Sequence, residues 1–156
     1  SSHQLRNGRL ASAVKEVIEV TGVTPESVSI ELTESVLIEN AAGNVETLKA
    51  LKSIGIKLSM DDFGTGYSSL TYLKRLPVDA LKIDKSFVRD ATSDPNDAEI
   101  IRAIVAMALS LDLAVIAEGV ETPEQLEFLQ GLGCHLYQGY LHSRPLPLKE
   151  FKKLLK

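Results

Sequence analysis

Five short apolar runs recur along the chain, and each ends on a polar or charged side chain before a segment of helical spacing begins. They are VSIE, ending at Glu31; IKLSMDD, ending at Asp61 and Asp62; ALKID, ending at Lys82 and Asp84; LAVIAE, ending at Glu118; and HLYQ, ending at Gln138. Strands are expected over residues 28–32, 56–60, 80–83, 113–117 and 136–138. Ahead of them, Leu10, Val14, Val17 and Ile18 recur at helical spacing within residues 7–21, and Gly22 stops that helix. Further helices are expected over 43–53 with Gly55 as cap, over a short stretch up to Arg75 before Pro77, and over 98–111. Another starts at Thr122-Pro123-Glu124-Gln125, with an N-cap, a proline at the first position and a glutamine at the third, and ends at Gly131 or Gly133. The closing PLPLKEFKKLLK is amphipathic, with lysines at the helix end that favours cations. DDFGTGYSS and ATSDPNDAE are too rich in turn residues for either element and read as loops.

Strand, loop and helix, five times over, predict an α/β fold with a parallel sheet and helical crossovers. Successive strand residues face opposite sides. Ser29 and Glu31 therefore share a face, as do Lys57, Ser59 and Asp61, and Lys82 and Asp84. Val28, Ile30, Leu58, Met60, Leu81 and Ile83 take the opposite, apolar face, which would meet helices. A face that turns polar toward the strand ends suits a barrel interior opening into a site better than an open sheet covered on both sides.

At 156 residues the chain is one domain or part of one, long enough to bury a substantial core. A net charge of −4 leaves no basic footprint, which argues against a general nucleic-acid binder while leaving room for an anionic ligand held through metal ions. Cys134 is the only cysteine, so an internal disulfide is impossible and a small packed residue is expected there. No apolar run approaches the ~20 residues of a membrane span. Ser1 opens into a polar segment rather than a leader, and the cytoplasm is the expected compartment, with any tether lying outside this chain.

The chemistry sits at the strand ends. Glu31, Asp61, Asp62 and Glu118 are carboxylates without a His/Cys cluster, and hard oxygen ligands of that kind favour Mg²⁺ or Mn²⁺ over zinc. A single such residue is as well explained by a helix cap or a solvated loop, but several converging carboxylates repel one another unless cations sit among them. Asp61 and Asp62 would point oppositely in a regular strand, and only where strand becomes loop can both turn to one pocket. Lys82 lies mid-strand between Leu81 and Ile83 and needs a partner, either Asp84 or a carboxylate on a neighbouring strand. It is a structural ion pair, or a cation that orients a nucleophilic water or offsets phosphate charge. Glu118 is the candidate base, because it ends the most apolar strand and burial raises a carboxylate's pKa. The DDFGTGYSSL loop offers backbone N–H groups to a phosphate, though glycines alone are weak evidence. His3, His135 and His142 are scattered and read as non-ligands; Arg144, beside Pro145, meets a phosphate or guanine or is simply solvated.

ELTES at 31–35, DDFGTGYSSL at 61–70, LKIDKSFV at 81–88, AEGVET at 117–122 and QGYLHSRPL at 138–146 together resemble the EAL-domain phosphodiesterases, over the whole chain and in the family's order and spacing. The resemblance implies a TIM-like (β/α)8 barrel with one antiparallel strand, here reduced to about five βα units with the N-terminal strands missing. It implies hydrolysis of cyclic di-GMP to linear pGpG with two Mg²⁺ or Mn²⁺ ions. By that resemblance Glu31, Asp61 and Asp62 bind metal, Glu118 assists the attacking water, and Lys82 contacts that water or the scissile phosphate. Glu34 anchors the DDFGTG loop, which couples metal binding to a homodimer formed through residues 61–70. Glu121 helps hold this arrangement and, with Gln138, completes the pocket, where Asp84 and Arg144 meet substrate.

The family's Glu-Ala-Leu triplet is absent from this chain. Ser1 is similar to the Ser of a metal-binding Asn-x-Ser motif, which places its Asn two residues ahead. The chain is therefore expected to be the C-terminal portion of an EAL domain, spanning 1–156, with weak or no turnover on its own. Retention of Glu31, Asp61, Asp62, Lys82 and Glu118 favours an enzyme; the missing Glu and Asn would favour an inactive cyclic di-GMP receptor or interaction module if the chain were complete.

Overall fold

Five parallel strands form one sheet in sequential order: β1 (Ser29–Thr33), β2 (Lys57–Phe63), β3 (Ala80–Ile83), β4 (Ala114–Glu118) and β5 (Leu136–Gln138). The helices are α1 (Leu10–Thr21), α2 (Glu34–Ile38), α3 (Ala41–Ser53), α4 (Leu70–Leu73), α5 (Lys85–Asp90), α6 (Pro95–Ser110), α7 (Pro123–Gly131) and α8 (Leu148–Leu154). This computed structural model describes Leu5 and residues 9–38, 41–64, 66 and 70–155. Ser1, His3, Asn7, and Thr65, Tyr67, Ser68 and Ser69 of the glycine-rich loop lie outside the described residues. The sequential order of parallel strands is the arc of a TIM-like barrel, as the alternation predicts.

Local signals set most boundaries. Thr122 and Gln125 close a capping box at the start of α7, and Gly22 ends α1 in a left-handed conformation with φ 66°. Asp94 accepts the Asn96 N–H at 2.8 Å and Pro95 takes the first helical position. So α6 starts inside the segment expected to be a loop, because its turn residues are a helix cap. Two short helices, α2 and α5, directly follow β1 and β3, where the sequence predicted no helix. Asp84 caps α5 by accepting the Ser86 N–H at 2.8 Å. β2 continues through Asp61 and Asp62 to Phe63, beyond its expected end.

The apolar parity holds: Leu58 and Met60 of β2 pack with Leu48 and Leu51 of α3, and Ile101 and Val105 of α6 belong to the same core. Each such side chain contributes about 1.5–3 kcal/mol by leaving water. The polar parity is also covered, since Ser59 and Lys82 are buried. Opposite the site, the Asp79 carboxylate accepts Lys52 Nζ at 2.6 and 2.8 Å and the Leu58 N–H at 2.8 Å. The Asp79 carbonyl accepts the Ala114 N–H at 3.0 Å, so one residue registers the amino ends of β2, β3 and β4. Among the described residues no helix is long and apolar enough to cross a membrane.

Candidate active site

The two adjacent aspartates turn toward one place because the strand is irregular there. Asp62 has φ 54°, and the β2–β3 register shifts between Met60 and Phe63. Aspartate tolerates this left-handed backbone better than most residues, and the irregularity lets neighbouring side chains face one side. Oxygens of Asp61, Asp62 and Glu118 lie within 4.8 Å of one another.

Lys82 sits at the centre of the charges and is 3% exposed. Its Nζ lies 2.7 Å from Glu31 Oε2, 3.2 Å from Asp61 Oδ1 and 2.5 Å from Glu118 Oε1. The partners come from the strands on both sides, and Asp84 is occupied as the α5 cap, which decides the choice the sequence left open. Burial alone pulls an ammonium's pKa down; hydrogen bonds to Glu118 and Glu31, with Glu118's charge and Asp61, override it and hold Lys82 above the ordinary lysine value. Glu31 reaches across to Lys82 with its side chain 51% exposed and is not among the three groups that converge. Glu118 meets a cation rather than a purely apolar wall, although Val115 and Ala117 beneath it are buried.

Burial, then the charges of Asp61 and Asp84, push the Asp62 carboxyl above the usual carboxylate range. Asp84 shares a hydrogen bond with Asp62; burial pushes its carboxyl up, but the Ser86 hydroxyl and amide and that bond hold it below the usual range. Asp61 Oδ1 is buried, 3.2 Å from the Lys82 ammonium. Three converging carboxylates, with no nitrogen or sulfur ligand among them, fit a hard divalent cation.

Glu34, 3% exposed, lies under the turn that follows Asp62. Its Oε2 accepts the Gly64 N–H at 3.4 Å, and a Cβ on Gly66 would stand 2.7 Å from Oε1. A cavity of about 880 Å³ begins at Glu118 and Glu121, passes Gln138 and Arg144, and extends to α8. Asp61 and Asp62 are not among its walls, so it abuts the carboxylates at Glu118 rather than enclosing them. The Arg144 guanidinium covers the Tyr140 ring at 4.4 Å. Lys85, Tyr140, His135 and His142 also line the cavity. None of these four was a sequence candidate for the pocket, although Lys85 follows Asp84 and Tyr140 follows Gln138 within the same motifs.

The loops after β4 and β5 lie backbone to backbone. The Val120 N–H donates to Gln138 O at 3.2 Å and the Leu141 N–H to Val120 O at 3.0 Å. A Cβ on Gly139 would overlap the Val120 backbone. Gly139→Ala is expected to cost about 3 kcal/mol or more, read as a lower denaturation midpoint, because backbone rather than a side chain must yield.

Strand-end carboxylates around a buried lysine, at the carboxyl ends of parallel barrel strands, define the acidic site of an α/β barrel protein. The family model described as EAL domain matches residues 1–145, and the chain belongs to the EAL domain family. It is 48% identical over 152 residues to cyclic di-GMP phosphodiesterase NbdA of Pseudomonas aeruginosa, covering 97% of this chain and 19% of NbdA. The structure of PaMucR phosphodiesterase in complex with c-di-GMP superposes with a TM-score of 0.92 at 42% identity, over 97% of this chain and 61% of that one. The manganese and cyclic di-GMP complex of BlrP1 from Klebsiella pneumoniae gives 0.79 at 39% identity, over 86% of this chain and 34% of that one. The chain thus spans about a fifth of the length of NbdA.

Proposed function

We propose that this chain is the C-terminal portion of an EAL domain that hydrolyses cyclic di-GMP to linear pGpG. The observation that carries the proposal is the convergence of Asp61, Asp62 and Glu118 beside Lys82. Relatives named as cyclic di-GMP phosphodiesterases, and a similar structure with manganese and the dinucleotide, support it. Asp61 and Asp62, with Glu31, would hold the Mg²⁺ or Mn²⁺ pair. When bound, two such ions supply charge neutralisation at the phosphodiester and activation of water.

Glu118 Oε1 takes the proton of the water that attacks phosphorus, as the bond from phosphorus to the 3′ oxygen breaks and that oxygen leaves to take a proton from solvent. Lys82 Nζ orients the Glu118 carboxylate and offsets charge building on the phosphate. Glu121 and Gln138 complete the pocket and Arg144 meets the substrate there; Asp84, outside that lining and bonded to Ser86, meets the substrate from beside Asp62 by the family resemblance, and Glu34 anchors the turn after Asp62. A homodimer through residues 61–70, resting on the family resemblance, and a cytoplasmic location, resting on the single cysteine, complete the proposal.

The test is turnover of cyclic di-GMP by the intact protein with Mn²⁺, followed by chromatography, beside Glu118→Ala. Linear pGpG from the wild type and at least ~100-fold less from the variant is the expected result. Tight dinucleotide binding with no product would replace the enzyme with a receptor.

A further inference from the structure

We propose that Asn44 and Tyr72 are positioning residues for the carboxylates of Asp61 and Asp62, acting through α2. The proposal rests on the reading that those carboxylates hold a divalent cation. Its starting point is the backbone at Asp62: a non-glycine residue at φ 54° persists only where its surroundings over-determine it. On the carboxyl side of that turn, the Gly64 N–H is held by Glu34 Oε2 at 3.4 Å. The turn is therefore as well placed as Glu34, and Glu34 is the first residue of α2.

Five residues cannot sustain a helix by their own hydrogen bonds. The carbonyls at the end of α2 are satisfied from outside it. Asn44 Nδ2 donates to Val36 O at 3.0 Å and to Leu37 O at 3.1 Å, and Tyr72 Oη donates to Leu37 O at 2.7 Å. Asn44 is 2% exposed, so water offers no substitute. The donors come from α3 and from α4. α2 is thus bonded both to Gly64, two residues after Asp62, and to Tyr72. Asn44 and Tyr72 touch neither the cation ligands nor Lys82 in any of these bonds; their effect passes through the helix that carries Glu34.

Tyr72→Phe removes one donor and keeps the ring, and Asn44→Ala removes the other. Each is tested in the intact protein by hydrogen exchange of the Gly64 amide without metal, and by titration with MnCl₂ followed by electron paramagnetic resonance. Asp79→Asn is the control, because it weakens the opposite ends of the strands. Each test variant should speed Gly64 exchange; Tyr72→Phe, which loses one hydrogen bond, should weaken Mn²⁺ binding by about fivefold, and Asn44→Ala, which loses two, by more than that. The control should lower the melting temperature and change neither. Unchanged Gly64 exchange in both variants, or an equal shift in the control, overturns the positioning role. A wild type that binds no Mn²⁺ would sink the metal reading instead, with the exchange data still deciding whether α2 holds the turn.

Discussion

Lys82→Met is expected to lower the stability of the metal-free protein by about 3–5 kcal/mol at neutral pH. Methionine matches the length of the lysine stem but leaves Glu31, Asp61 and Glu118 facing one another without their shared cation. The sign of the pH dependence follows from the shift. Lys82 is held above the ordinary lysine value, so its stabilisation is complete below the unfolded value of about 10.4 and fades only as pH rises through the folded one. The gap between wild type and variant should thus stay level between roughly pH 6 and 9. At acid pH the variant should regain stability, because its stranded carboxylates take up protons. Mn²⁺ should also restore part of the loss by supplying the missing positive charge. Thermal melts across pH, with and without Mn²⁺, check all of this, and equal melting of the two proteins at neutral pH would mean that Lys82 does not hold the cluster together.

Asp62→Asn should separate stability from metal binding. Asparagine tolerates the left-handed backbone that φ 54° requires, so the turn itself survives. Asp62 is held above the usual carboxylate range by burial and by Asp61 and Asp84. A raised carboxyl contributes stability below its unfolded pKa and loses it as pH rises through the folded value. At neutral pH the metal-free variant should therefore melt above the wild type, and the wild type should close the gap as pH falls toward about 4. Mn²⁺ affinity should meanwhile fall by at least about 100-fold, since even partners behind the ligands cost 10–100-fold when lost. Calorimetric titration with MnCl₂ beside pH-dependent melts reads both effects. A variant that kept its Mn²⁺ affinity would remove Asp62 from the ligand set.

The opposed effects of these two substitutions have one source. The site gathers negative charge at strand ends that a barrel brings together, and a single buried lysine only partly balances it. In metal-free protein Lys82 supports the fold and Asp62 opposes it. With a cation bound, both belong to the same balanced cluster.

Much of this was legible along the chain because its causes are local. Alternation within residues 56–60 and 80–83 placed Leu58, Met60, Leu81 and Ile83 in the core. The Thr122–Gln125 capping box was readable because all its bonds lie within one turn. The burial cost of an ammonium required a partner for Lys82, and polar strand ends marked one face of the barrel as the site. Tertiary structure alone chose Glu31, Asp61 and Glu118 over the nearer Asp84, because that choice depends on register between strands far apart in sequence. It alone set the left-handed turn at Asp62, since alternation describes a regular strand and a break in it leaves the residue pattern unchanged. The same holds for α2 and its donors: a five-residue helix has too few local bonds to announce itself, and exists where Asn44 and Tyr72 satisfy its last carbonyls.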